Sequence, residues 1–143
     1  MYKVGVVGRF SAIHTLAGDV PEEEKHPHAH NYKLEWDIEV SQLDERGFSL
    51  DISMLEKIRD ALFITVEGVN LNEHEYFKNK PVSLENLCEF VYKKLCTGLM
   101  QRLSGADLAK ITAMEIRIWE NSQAWAGTRR EGEQIAERLQ RSI

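Results

Sequence analysis

From Leu34 to Val40 the chain alternates without a slip: Leu34, Trp36, Ile38 and Val40 are apolar, and Glu35, Asp37 and Glu39 between them are acidic. A period of two is that of a β-strand with one buried and one wet face. "TAMEIRIWE" repeats it, with Met114, Ile116 and Ile118 set against Glu115 and Arg117 and the strand ending at Glu120. Residues 2–12, rich in Val, Phe and Ile, predict a first strand that delivers His14 at its far end. Gly47 marks a turn after the acidic strand, so residues 33–51 are expected to form an antiparallel hairpin with a long loop and a short return strand. "SQAWAG" supplies the start of a partner for the strand ending at Glu120.

Two stretches change period. Leu55, Ile58 and Leu62 recur at helical spacing behind Ser53 and Glu56, which have the spacing of a capping box. Ser83 can cap a second helix in which Leu84, Leu87, Cys88, Val91 and Leu95 form one apolar stripe, read as core rather than as a cofactor site. Ile135, Leu139 and Ile143 at spacing four suggest a short surface helix in a polar extension beginning at about residue 128. The order is strand, hairpin, helix, helix, hairpin, without a 20–50-residue repeat. That order predicts a single α+β domain whose helices cover one face of an antiparallel sheet. Such a sheet has free edges, which proteins hide by charges, bulges or assembly, and an oligomer is expected here.

Composition narrows the function. With 143 residues, 43% hydrophobic, the chain can bury one core. A net charge of −5 without a basic run excludes nucleic acid as a partner. No stretch reaches the ~20 apolar residues of a membrane span, and "MYKVGVVGRF" lacks a secretory apolar core, so a cytoplasmic protein away from the membrane is expected. Cys88 and Cys96, about two helical turns apart, are too distant to bridge and are read as reduced thiols.

The candidate chemistry lies in "HPHAHNY". In a strand, residues i and i+2 point the same way, so His28 and His30 share a face, and His14 from another strand can complete a three-nitrogen zinc site with an open position. His26 has the same spacing but is set off by Pro27. Spacing alone leaves a second reading open, solvated loop histidines that hold no metal. Glu120, taken alone, reads as a strand-end carboxylate.

"RFSAIH" followed by "HAHNYKLEWDIEV" resembles the Phe-Ser-Ala-x-His and His-Gly-His-Asn-Tyr strands of the 6-pyruvoyl-tetrahydropterin synthase and 6-carboxytetrahydropterin synthase family. "GFSLDISMLEKI" with Asp51, "VNLNE", "VSLENLCEFVYKKL" and "IRIWENSQAWA" match further family segments in the same order, together covering about residues 4–127. The resemblance implies a tunnelling fold, a four-stranded antiparallel sheet with two helices on one face, joined into an oligomeric barrel, a trimer or hexamer. It implies zinc held by His14, His28 and His30, and Glu120 recognising the 2-amino-4-oxo edge of a pterin.

The chain also departs from that pattern. The synthases' cysteine, a few residues before the H-x-H pair, has no counterpart in "PEEEKHPHAHNY". Family variants that carry a glutamate instead cleave the pterin side chain to a hydroxymethyl product. Their glutamate falls on Lys25 here, one residue after Glu24. In the family's Leu-Asp-His turn, Glu67 stands for Asp and Gly68 for His. Candidates for the general base are therefore Glu24, Glu67 and His26, and the acidic run 22–24 reads equally as a solvated loop. The expected function is a zinc-dependent lyase or aldolase on a dihydroneopterin phosphate. The alternative is a zinc- and pterin- or purine-binding homologue without that reaction.

Overall fold

The computed structural model describes residues 1–132. Two 13-residue strands, β1 (Tyr2–His14) and β2 (His28–Val40), pair antiparallel along their whole length, from Tyr2 opposite Val40 to His14 opposite His28. β3 (Ile111–Trp119) pairs with the other edge of β2, and β4 (Trp125–Glu131) with β3, giving one antiparallel sheet of order β1-β2-β3-β4.

The alternation seen in the sequence sorts the two faces. Tyr32, Leu34, Trp36, Ile38 and Val40 are buried toward the helices, while Lys33, Glu35, Asp37 and Glu39 are half-buried on the other side. α1 (Ile52–Val66) lies over β1, and α2 (Leu84–Arg102) over β3 and β4. α1 buries Leu55, Ile58, Leu62 and Val66, and α2 buries Leu87, Val91, Leu95 and Leu99 with both cysteines. Each such aliphatic side chain contributes about 1.5–3 kcal/mol on burial. The helices touch where Gly98 faces Ile58; a Cβ there would lie 2.5 Å from Ile58 Cγ2. Burial raises the Cys88 thiol to about 12, which leaves it an inert core group.

Several expectations are corrected. No return strand follows Gly47: the second edge of β2 is taken by β3, and the side chain of Asp44 closes the loop by accepting from the Arg46 and Phe48 amides. Asp51, rather than Ser53, caps α1, accepting from the amide and hydroxyl of Ser53. A third, short helix, α3 (Gly105–Lys110), is capped by Ser104 just before β3. β4 runs through Thr128 to Glu131, so the sheet continues past the point where a polar extension was expected to begin. The surface helix expected around Ile135, Leu139 and Ile143 lies outside the described residues. Among those described, no helix is long and apolar enough to cross a membrane.

Candidate active site

The β1–β2 register does most of the assembly. His14 pairs across with His28, and Ala12 with His30, so three imidazoles reach one end of the sheet on the helix-facing side. Their ring centroids lie 4.4 Å (His14 to His28), 4.9 Å (His28 to His30) and 5.0 Å (His14 to His30) apart. Each partner element steadies a ring. His14 Nδ1 is 2.8 Å from the Val82 carbonyl, just before α2, and His28 Nδ1 is 2.8 Å from the His26 carbonyl. A carbonyl only accepts, so Nδ1 carries the proton and, in the neutral ring, Nε2 presents a lone pair. The side-chain amide of Asn72 accepts from the Thr15 amide and donates to the Thr15 carbonyl, clamping the chain just beyond His14.

Nε2 of His14, His28 and His30 is buried in each case and has no hydrogen-bond partner. Burial, reinforced by His14 and partly opposed by Glu120, holds the pKa of His30 below its ordinary value, which favours a neutral ring. Three orphaned nitrogen donors aimed at one point are costly unless something fills it. The geometry is convergence, which the solvated-loop reading does not produce. Together with Glu24, the histidines offer one ligand atom each, all within 4.8 Å of one another. This borderline-to-hard N₃O set fits a zinc ion.

Glu24 reaches the cluster although sequence spacing places Lys25 at the family position. Residues Glu22–Lys25 form a single 3-10 turn, anchored by the Glu24 amide donating to Pro21 and the Leu16 amide donating to the Glu24 carbonyl. The turn points Glu24 inward, its Oε2 3.1 Å from His28 Nε2 and 3.9 Å from His14 Nε2. Lys25 turns back to Glu22. The other two candidate bases are not in this group. The exposed His26 ring faces Glu22 at 3.7 Å, and its contribution to the cluster is the backbone carbonyl that orients His28. Glu67 ends α1 and accepts from the Ser11 amide at 2.8 Å.

Glu120 follows β3, in a turn closed by its amide donating to Ala124, and its Oε1 lies 3.9 Å from His30 Nε2. Beside it opens a cleft of about 560 Å³ lined by His30, Glu120, Asn31, Trp119, Arg9 and Lys33, among others. Arg9 and Lys33 are register partners on the face away from the helices, and among the described residues neither has a carboxylate within ion-pair distance. Sequence reasoning missed both, although the period of two places them on one face with Glu35 and Asp37. The Val82 carbonyl, being backbone, leaves no signal in the sequence. Buried Tyr32, next along β2, has its phenol pKa raised by burial first and then by Glu120 and Glu24, so it remains protonated.

Structures of the same fold include 6-pyruvoyl tetrahydropterin synthase from Plasmodium falciparum, with 16% identity and a TM-score of 0.73 over 92% of this chain and 98% of that one. The Caenorhabditis elegans synthase aligns with 22% identity and a TM-score of 0.67 over 92% and 95%. A Plasmodium vivax synthase, a variant with its catalytic glutamate replaced by alanine, aligns with 14% identity and a TM-score of 0.71 over 92% and 100%. No curated protein sequence matches significantly. The family model described as 6-pyruvoyl tetrahydropterin synthase matches residues 3–131, so the chain belongs to the 6-pyruvoyl tetrahydropterin synthase family.

Proposed function

We propose that the protein is a zinc-dependent lyase that cleaves the side chain of a phosphorylated dihydroneopterin, with Glu24 as the base. The observation that carries this reading is the carboxylate of Glu24 set among the three histidines, where a synthase's cysteine is absent. The Plasmodium vivax relative, whose catalytic residue is a glutamate, supports it by analogy. His14, His28 and His30 hold the zinc, which when bound polarises the side-chain hydroxyls and stabilises negative charge developing on them.

The chain's own residues do the rest. Glu120 offers two acceptor oxygens to the adjacent N–H donors of the pterin ring, a bidentate charge-assisted contact that sets the ring's direction. Arg9 and Lys33, along the same cleft, take the phosphate chain. Glu24 removes the proton of the side-chain 2′-hydroxyl. The C1′–C2′ bond then breaks with its electron pair delocalised into the dihydropterin ring, C2′ leaves as an aldehyde, and C1′ is reprotonated to a hydroxymethyl group. Glu67, bonded to the Ser11 amide, and His26, facing solvent, are less suited to that proton transfer.

Incubation of zinc-loaded protein with dihydroneopterin triphosphate, with products identified by mass, tests the reading. A hydroxymethyl-dihydropterin product that Glu24→Gln fails to make is expected. Pterin binding without any product would leave the second reading, a zinc- and pterin-binding homologue. Undiminished turnover by Glu24→Gln would return the base to Glu67 or His26.

A further inference from the structure

We infer that Glu24 is also the fourth protein ligand of the metal in the resting protein, closing the site until a vicinal diol competes for its place. This rests on the reading of the histidine cluster as a zinc site, and it gives Glu24 two successive positions, ligand and then base.

Distances come first. Zinc bonds of about 2.0–2.1 Å in a tetrahedron put ligand atoms about 3.3 Å apart. Glu24 Oε2 stands 3.1 Å from His28 Nε2 and 3.9 Å from His14 Nε2, on either side of that edge length. Proton positions come second. With Nδ1 of His14 and His28 committed to carbonyls, Nε2 of each neutral ring turns a lone pair toward the carboxylate oxygen. Neither nitrogen is hydrogen-bonded, even at 3.1 Å. A positive charge between them, from a metal ion or from a proton on the ring, turns that confrontation into attraction, and a metal ion does so for both nitrogens at once. The backbone comes third. Glu24 is pinned through both its amide and its carbonyl, and its side chain is 28% exposed against 76% for Glu22 in the same turn. One acid of the acidic run is thus singled out and aimed.

A site closed by four protein ligands admits substrate only by exchange, in contrast to a three-histidine site with a standing open position. A monodentate hydroxyl competes poorly with a tethered carboxylate, whereas two adjacent hydroxyls on one molecule gain from effective concentration. The closed site therefore selects pterins with a dihydroxylated side chain over the unsubstituted ring, and the exchange frees Glu24 beside the hydroxyl whose proton it removes.

The test uses the full chain loaded with Co²⁺, whose visible ligand-field bands report the donor set, alongside Zn²⁺ affinities. Glu24→Gln and Glu24→Ala are expected to change the Co²⁺ spectrum and to weaken binding of both metals by more than the roughly 10- to 100-fold typical of losing an outer partner. Neopterin added to the wild type should shift its spectrum away from that of the resting site, and unsubstituted pterin should not. Identical spectra for wild type and both variants would overturn the inference even if affinity fell, since a nearby charge alone lowers affinity. His28→Ala separates the two levels. If it abolishes metal binding while the Glu24 variants keep the wild-type spectrum, only the fourth ligand is wrong; if it leaves metal binding intact, the zinc site itself is misplaced.

Discussion

Glu120 lies 3.9 Å from His30 Nε2, so in the proposed reading a pterin ring held by this carboxylate would place its side chain beside the histidines. Exchanging that carboxylate for an amide turns one acceptor into a donor facing ring N–H groups. Glu120→Gln should therefore weaken neopterin binding by about 2 kcal/mol or more, roughly 30-fold, with little effect on folding. Calorimetry on zinc-loaded protein measures it, and equal affinities would remove Glu120 from the site. The histidines answer a separate question. One zinc per chain is expected in purified protein, lost in His28→Ala combined with His30→Ala. A chelator should lower the melting temperature of the wild type, because an ion bound only by the native state adds about 2.7 kcal/mol at 100 times its Kd. Unchanged zinc in the double variant would place the metal elsewhere. The histidine triad was legible in the sequence because strand periodicity preset two of its members. Glu24 was legible as a candidate base from its place just before the ligand strand, but its aim was not, since the direction of a 3-10 turn is set by backbone contacts to Pro21 and Leu16 that no side-chain pattern records.

The elements that fix this geometry were read best where period and cap agree. Ser83 was expected at the start of α2, and its hydroxyl accepts from the Asn86 amide at 3.1 Å. Ser83→Ala should cost about 1 kcal/mol in denaturant unfolding. Because the Val82 carbonyl that orients His14 is adjacent to this cap, the same variant should also loosen metal binding. α1 carries a pH signature. Donors from Ser53, its hydroxyl foremost and then its amide, hold the pKa of the Asp51 cap below the ordinary aspartate range. A carboxylate depressed in the folded state adds stability above its unfolded pKa, and that contribution is lost as pH falls through the folded value. Stability should hence decline below about pH 4, and less steeply in Asp51→Asn, as circular dichroism against pH would show. The return strand after Gly47 failed for a reason of scale. A turn signal states that the chain reverses, but which strand takes the free edge of β2 depends on β3, some 70 residues away in sequence. α3, six residues long, is too short to show a period.

At the scale of the whole molecule, the sheet presents a face and two edges that the described residues do not cover. The face away from the helices is ionic: Lys3 pairs with Glu39, Arg129 with Glu39, Glu115 and Glu131, and Trp119 donates to Glu35. Burial, with Glu115 and Glu35 beside it and Lys3 opposing, raises the pKa of Asp37 on that face. A face of this kind suits a wet channel better than a dry contact between sheets. Attachment is therefore expected at the edges. Near Ser11 and Ile13 the outer edge of β1 is taken by the 67–69 segment, and Arg59 donates to the Val7 carbonyl, but toward Tyr2 no such cover exists among the described residues. Tyr2 and Val7 are exposed at 48% and 57%, as is Trp125 on β4, at 48%, with Arg117 stacked 3.9 Å from its ring. Pairing the β1 edge of one copy with the β4 edge of the next is a heterologous contact, which closes as a ring when the rotation permits. Light scattering at micromolar concentration should accordingly return three or six times the chain mass of 16.5 kDa. Because the pairing covers Trp125, its fluorescence should become more accessible to quencher as the assembly is diluted apart. A monomer at that concentration, with quenching independent of dilution, would rule out this pairing of edges.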